Sequence, residues 1–303
     1  MRRARSSRAS MAALAVLAAV ALAGCSVPGV AFPDAVKQQR YMQDLADQQF
    51  DLLSEHIGQA PEVKGAEYLH VVFGDEETHV NNAVILFGDP TSAFSQDKGS
   101  SDGNTIDVYH VGGTGVDYLL LGGDLKELAP TEWVAVPTRY VQEDDAADTL
   151  GPACAYPGIS TACTIYAAVE ATLASDVGSR VNVVVSTRSD GSSQITTSAS
   201  LQSVVDLGPS FGLPEDAATA FTAEELETLL PVTIFQNADG GLQKAELSGK
   251  VDGSKPLQLQ TGFEVTGPAT LEDLPTRPSA FDVTVIPQAD EQAFWDKIQE
   301  LRT

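Results

Sequence analysis

The sequence predicts an α+β fold in which one strongly curved antiparallel sheet packs around a few helices. Three observations predict it. Short runs in which apolar and polar residues alternate recur through most of the chain, the period of half-buried strands. Asp-Gly pairs at 190–191, 239–240 and 252–253 separate such runs, as in two-residue hairpin turns. Helical periodicity is confined to a few segments. Hairpin-linked neighbours are antiparallel, with one apolar face and one wet face. The runs amount to about nine to eleven strands, and sheets approaching ten strands curl or split. So few helices favour a strong bend.

The first element is not part of the fold. Arg2, Arg3, Arg5 and Arg8 precede an uncharged apolar run over 11–22, too short to span a bilayer as a helix. The run ends in Leu22-Ala23-Gly24-Cys25. That layout resembles a bacterial lipoprotein signal peptide, cut before the cysteine, whose thiol then carries a diacylglycerol. The resemblance implies removal of 1–24, lipidation of Cys25 and a chain held on the extracytoplasmic face of the cell membrane. Two acyl chains anchor firmly where one is marginal, at about 0.8 kcal/mol per buried methylene. No later segment is apolar for long enough to span.

Removal of 1–24 leaves 279 residues and takes away four arginines and no acid, so the formal charge goes from −24 to −28. So acidic a chain argues against nucleic acid, whose phosphates need Lys and Arg, and against docking on anionic headgroups. Residues 25–37 read as the lipidated cysteine and a tether, with prolines at 28 and 33. Residues 38–303 read as a single domain, since no Pro/Ser-rich boundary or repeat divides them.

A helix is expected over 35–57, with Tyr41, Leu45, Leu52 and Leu53 at helical spacing and Gly58 and Pro61 ending it. Strands follow at 68–73, 80–87, 106–111, 116–121 and 133–136, punctuated by Gly112-Gly113 and Gly122-Gly123. The polar, glycine-rich 88–104 segment reads as a loop able to gate a mouth. Cys154 and Cys163 flank a turn at Tyr156-Pro157-Gly158, and in an oxidising compartment they are expected to form a disulfide. Their spacing is neither C-x-x-C nor a zinc pattern, and no His lies nearby.

Ile165, Val169 and Leu173 mark a helix just after the cysteine pair. Val181, Val183, Val185 and Thr187 alternate on a strand that turns at Asp190-Gly191 into a second one over 194–205. Thr222-Ala223-Glu224-Glu225 has the form of a capping box. A meander over 232–235, 242–251 and 257–265 follows, then alternation at Phe281, Val283 and Val285. Phe294, Ile298 and Leu301 close the chain on an amphipathic helix.

This element order resembles the mycobacterial LppX/LprG lipoproteins and, more remotely, the LolA-type lipoprotein carriers. The residues that carry the resemblance are Leu22-Ala23-Gly24-Cys25, the strand-Gly-Gly-strand-Trp run around 116–133, and the meander from Pro231-Val232-Thr233-Ile234-Phe235 to Val283-Thr284-Val285-Ile286-Pro287. It spans roughly 38–287. It implies a half-barrel around helices, with an apolar cavity for the acyl chains of an envelope lipid or glycolipid. The chain is longer and more acidic than that pattern, and it adds the cysteine pair and the helix around Trp295.

Chemistry-bearing motifs are sparse. His56, His70, His79 and His110 belong to no metal pattern. His70 and His79 sit on consecutive strands and read as a solvated or capped pair. No phosphate loop occurs. The acidic runs Asp75-Glu76-Glu77 and Glu143-Asp144-Asp145-Asp148 match no calcium loop and read as solvated faces. The sequence therefore predicts no enzyme, no cofactor and no metal.

Two functions remain. One is a lipid carrier whose cavity is lined by Val183, Val185, Leu247, Leu257, Leu259, Phe263 and Val265, one apolar sheet face. The other is a non-catalytic envelope scaffold with a solid core and a protein partner.

Overall fold

The computed structural model describes residues 35–57, 62–99, 103–138, 140 and 151–302. The signal segment, Cys25, the tether up to residue 34 and the acidic run at 143–148 lie outside the described residues. The chain divides into two units, 1–41 and 42–303. The described part of the first is the start of helix α1 (Ala35–Ile57), and every other element belongs to the second.

Twelve strands make one sheet: β1 (Val63–Phe73), β2 (Glu76–Phe87), β3 (Ser92–Asp97), β4 (Ile106–His110), β5 (Val116–Leu121), β6 (Trp133–Pro137), β7 (Val184–Thr187), β8 (Ser193–Ser200), β9 (Leu229–Gln236), β10 (Leu242–Val251), β11 (Leu257–Pro268) and β12 (Val283–Val285). Their order is β12-β6-β5-β4-β3-β2-β1-β11-β10-β9-β8-β7. Every neighbouring pair is antiparallel except β12 with β6. Two consecutive meanders are thus joined at a single seam, β1 against β11.

The fold is α+β, as expected, but the sheet is open and the strong curling is not seen. The reason lies in how its apolar face is covered. Over β1–β3 and β7–β11 the cover is α1, α2 (Ile159–Ala174) and α3 (Leu201–Asp206), which share the principal core. Over β5 and β6 it is a separate cluster. There Leu119, Leu121, Val134 and Val136 meet Leu125 of a 3-10 turn, and Phe294 and Ile298 of the last helix, Glu291–Arg302. A face covered along its width need not wrap around one helix pair.

Registers show that both clusters lie on one face. Leu86 pairs with Ala93, Ala93 with His110, and His110 with Asp117. Between the clusters sits a buried polar pair. His110 Nδ1 is 2.8 Å from Asp117 Oδ1, and the Thr138 hydroxyl donates to the same oxygen at 2.8 Å. The groups satisfy each other, which burial requires.

The start of α2 is fixed by two devices. Gly158, at φ +78°, precedes it, and Phe263 fills the space beside that glycine and Gly65. A Cβ on Gly65 or Gly158 would stand 2.3 or 2.5 Å from the Phe263 ring. Glu67 Oε1 accepts from the Gly158 N–H at 3.3 Å and the Thr161 hydroxyl at 2.5 Å, placing a carboxylate at the helix N-terminus. Cys154, on a 3-10 turn, is disulfide-bonded to Cys163, with Cα atoms 5.9 Å apart.

Several expectations are corrected. The 88–104 segment is not a loop: β3 lies within it, paired on both sides, so it is no gate. Helix α2 begins before Cys163 rather than after the pair. The strand expected over 194–205 ends at Ser200, whose side chain accepts from the Ser203 N–H and starts α3. Among the described side chains of α1, Phe50 and Leu53 are buried and Leu45 is partly covered, while Leu52 is exposed. The capping box forms: Thr222 accepts from the Glu225 N–H, and the Glu225 carboxylate accepts from the Thr222 N–H. His70 faces His79, with ring centroids 6.1 Å apart, and His70 Nε2 lies 3.0 Å from Glu77 Oε1.

Candidate functional site

At one end of the β1-β11-β10-β9 sheet the chain leaves a cleft of about 940 Å³. Its apolar wall comes from Val63 of β1, Ile159 at the start of α2, Leu242 of β10 and Val265 of β11. Local structure puts them there. A β-bulge at Lys64/Gly65 shifts β1 against β11 near Val265, and a second irregularity at Leu242/Lys244 shifts β10 against β9. Bulges bend a strand and re-aim its side chains.

The rim is polar. Lys244 Nζ stands 3.0 Å from Glu246 Oε2 and 3.7 Å from Glu264 Oε2, and lies over the Tyr68 ring. The Tyr68 hydroxyl donates to Glu246. Burial raises the Glu246 pKa, but the Tyr68 hydroxyl, Lys244 and Gln260 outweigh it and hold the carboxyl below its usual range. Burial pushes the Tyr68 phenol strongly up, reinforced by the bond to Glu246 and by the negative charges of Glu246 and Glu264. Of these groups Lys244 and Glu264 line the cleft, and Tyr68 and Glu246 stand behind Lys244. Across from it, the Arg188 guanidinium lies 5.7 Å from the centroid of the Phe235 ring. Asn237 also lines the cleft, and its Oδ1 is buried without a hydrogen-bond partner among the described residues. Apolar walls with a few convergent polar groups are what small-molecule sites share.

Of the seven residues expected to line a cavity, six lie on strands of the sheet, and Val183 lies just before β7, because the strand expected from Val181 begins only at Val184. Val185, Leu247, Leu257, Leu259 and Phe263 are buried in the principal core, and Val183 and Val265 pack against it. Of the seven, Val265 alone borders the cleft. Sequence reasoning passes over Phe235, Asn237 and Lys244. The only signal is Asp239-Gly240, which reads as a turn and nothing more. Among the described residues no group of three or more His, Cys, Asp or Glu is placed to hold a metal, and no helix is long and apolar enough to cross a membrane.

No family model and no curated relative matches the sequence. Solved structures resemble it in fold. The chain is similar in structure to the mycobacterial lipoproteins LprF and LppX. LprF from Mycobacterium bovis is 12% identical over 78% of this chain and 98% of its own, with a TM-score of 0.33. LppX from Mycobacterium tuberculosis is 10% identical over 74% and 98%, with a TM-score of 0.27. A DUF1329 family protein from Desulfovibrio piger is 9% identical over 76% and 94%, at 0.23. Likenesses this distant transfer no residue's role to this chain.

Proposed function

We propose that this chain is a non-catalytic lipoprotein, anchored through Cys25 on the extracytoplasmic face of the cell membrane, that binds or carries an envelope lipid or glycolipid. The observation that carries the reading is the 940 Å³ cleft, apolar at Val63, Ile159, Leu242 and Val265 and rimmed by Lys244, Arg188 and Asn237. Its volume is near the upper end of the roughly 300–1,000 Å³ of small-molecule sites. An acyl chain fits the wall, and a polar head fits the rim. The exchange needs no covalent chemistry, because acyl chains move between one apolar environment and another.

A specific observation favours a second reading, an envelope scaffold with a protein partner: five of the seven expected cavity residues are in the packed core. The test is lipid extraction and native mass spectrometry of the lipidated chain, purified from its envelope in detergent. Wild type should retain a lipid beyond its own anchor. Val265→Trp should lower that lipid several-fold with little change in melting temperature. Val185→Trp, in the core, should instead destabilise the fold by about 1–3 kcal/mol. A wild type without bound lipid sinks the carrier reading and leaves the scaffold.

A further inference from the structure

A second hollow lies away from the cleft, on the other face of the sheet. Tyr118 of β5 and Ala135 of β6 point away from Leu119 and Val134, and with Tyr109 they form a small buried cluster. The segment 277–288, which includes β12, runs beside this cluster and leaves a groove of about 550 Å³. Val116, Tyr118, Ala135, Pro278, Val283 and Ile286 make it apolar.

One charge stands in that lining among the described residues, that of Arg277. No carboxylate lies within ion-pair distance of its guanidinium among the described residues. The nearby Asp282 is held by the Ser279 hydroxyl at 2.5 Å. The Arg277 charge reaches the cluster below: burial raises the Tyr109 pKa, and Arg277 opposes that rise. An unopposed arginine is unusual here, because 42 acids outnumber 18 lysines and arginines. Beside the groove, Phe281 is 95% exposed and Val285, which lines it, is 69% exposed. Apolar surface clustered at a groove marks a binding site rather than ordinary surface scatter.

We propose that this groove binds a long-chain carboxylate, with the alkyl chain along Tyr118, Ala135 and Val283 and the carboxylate on Arg277. The charge decides the class. An apolar groove alone would take any alkyl chain, whereas a guanidinium presents a planar fork that matches a carboxylate bidentately. A cationic head would be repelled, and a neutral one would leave Arg277 without a counter-charge. The bound chain would also cover Val285. The site is separate from the cleft and stands whether or not the cleft binds lipid.

The test is photolabelling of the full chain, held by its own anchor in phosphatidylcholine vesicles, with hexadecanoate bearing a terminal diazirine. Adducts should map to 115–137 and 277–288 and be competed by unlabelled hexadecanoate. The matching hexadecanol probe should label roughly tenfold less, the worth of one charge-assisted hydrogen bond. Arg277→Gln, at an exposed position that leaves the core intact, should reduce acid labelling by a similar factor and leave the alcohol unchanged. Arg277→Lys should restore part of it. Adducts elsewhere, labelling that is not competed, equal labelling by acid and alcohol, or an Arg277→Gln variant that labels like wild type would each overturn the proposal.

Discussion

At the scale of single residues, pH should act through Glu246. The carboxylate loses hydration on burial, yet the Tyr68 hydroxyl and Lys244 hold it ionised. Its folded pKa therefore lies below the ordinary 4.5. A depressed carboxylate stabilises the fold above its unfolded pKa, and that contribution is lost as pH falls through the folded pKa. Denaturant midpoints measured from pH 6 to about pH 3 should fall in wild type. In Glu246→Gln the fall should be shallower, with the two curves converging at the acid end. Parallel curves would show that Glu246 carries no linkage. Residues of this kind are not legible in the sequence. Lys244, Glu246 and Glu264 read only as the wet face of alternating strands, and nothing along the chain shows that β1 carries Tyr68 to β10 from about 180 residues away.

At the scale of elements, legibility depends on whether local and tertiary signals agree. The meander β9–β11 and the final helix are legible, because strict alternation and 3.6 spacing each fill one face there. The capping box at Thr222 is legible because it is local chemistry. Strand β3 is not, because Ser92, Ser95, Gln96 and Asp97 carry little β preference, and only pairing with β2 and β4 makes them a strand. Ser200 hides a boundary: with Thr196, Thr197, Ser198 and Ser203 around it, an N-cap looks like one more small polar position in a strand. The start of α2 hides for a different reason, since Gly158 and Glu67 come together only in the fold.

The disulfide ties that start to the turn before it. Cys154→Ser/Cys163→Ser should cost about 2–3 kcal/mol, roughly 5–10 °C of melting temperature. Thermal unfolding with and without reductant checks it, and only wild type should respond to the reductant.

At the scale of the whole molecule, the fold class is legible and the degree of bending is not. Strand number argues for curling, but the separate cover of Leu125, Phe294 and Ile298 over β5 and β6 is invisible as a contact. The candidate cleft is legible only through Val265. The sheet's two edges are blunted by brevity: β7 has four residues and β12 three, little template for a foreign strand. The proposed anchor is Cys25, so Cys25→Ala should leave the protein unprocessed or shift it out of the membrane fraction. Fractionation with intact-mass measurement reads both outcomes, and a variant still membrane-bound at the mature mass would defeat the anchor.

The seam between β1 and β11 has a consequence for how such a chain comes into being. β1 is among the first strands to be synthesised, and its partner is about 200 residues downstream. Until β11 arrives, the first meander carries a long naked strand border of eleven residues, Val63–Phe73, with half its ladder empty. During biogenesis the chain therefore passes through a stage when it is stickiest along the line that later becomes the middle of its sheet. The finished protein hides that hazard at its centre and leaves only its two shortest strands at the borders.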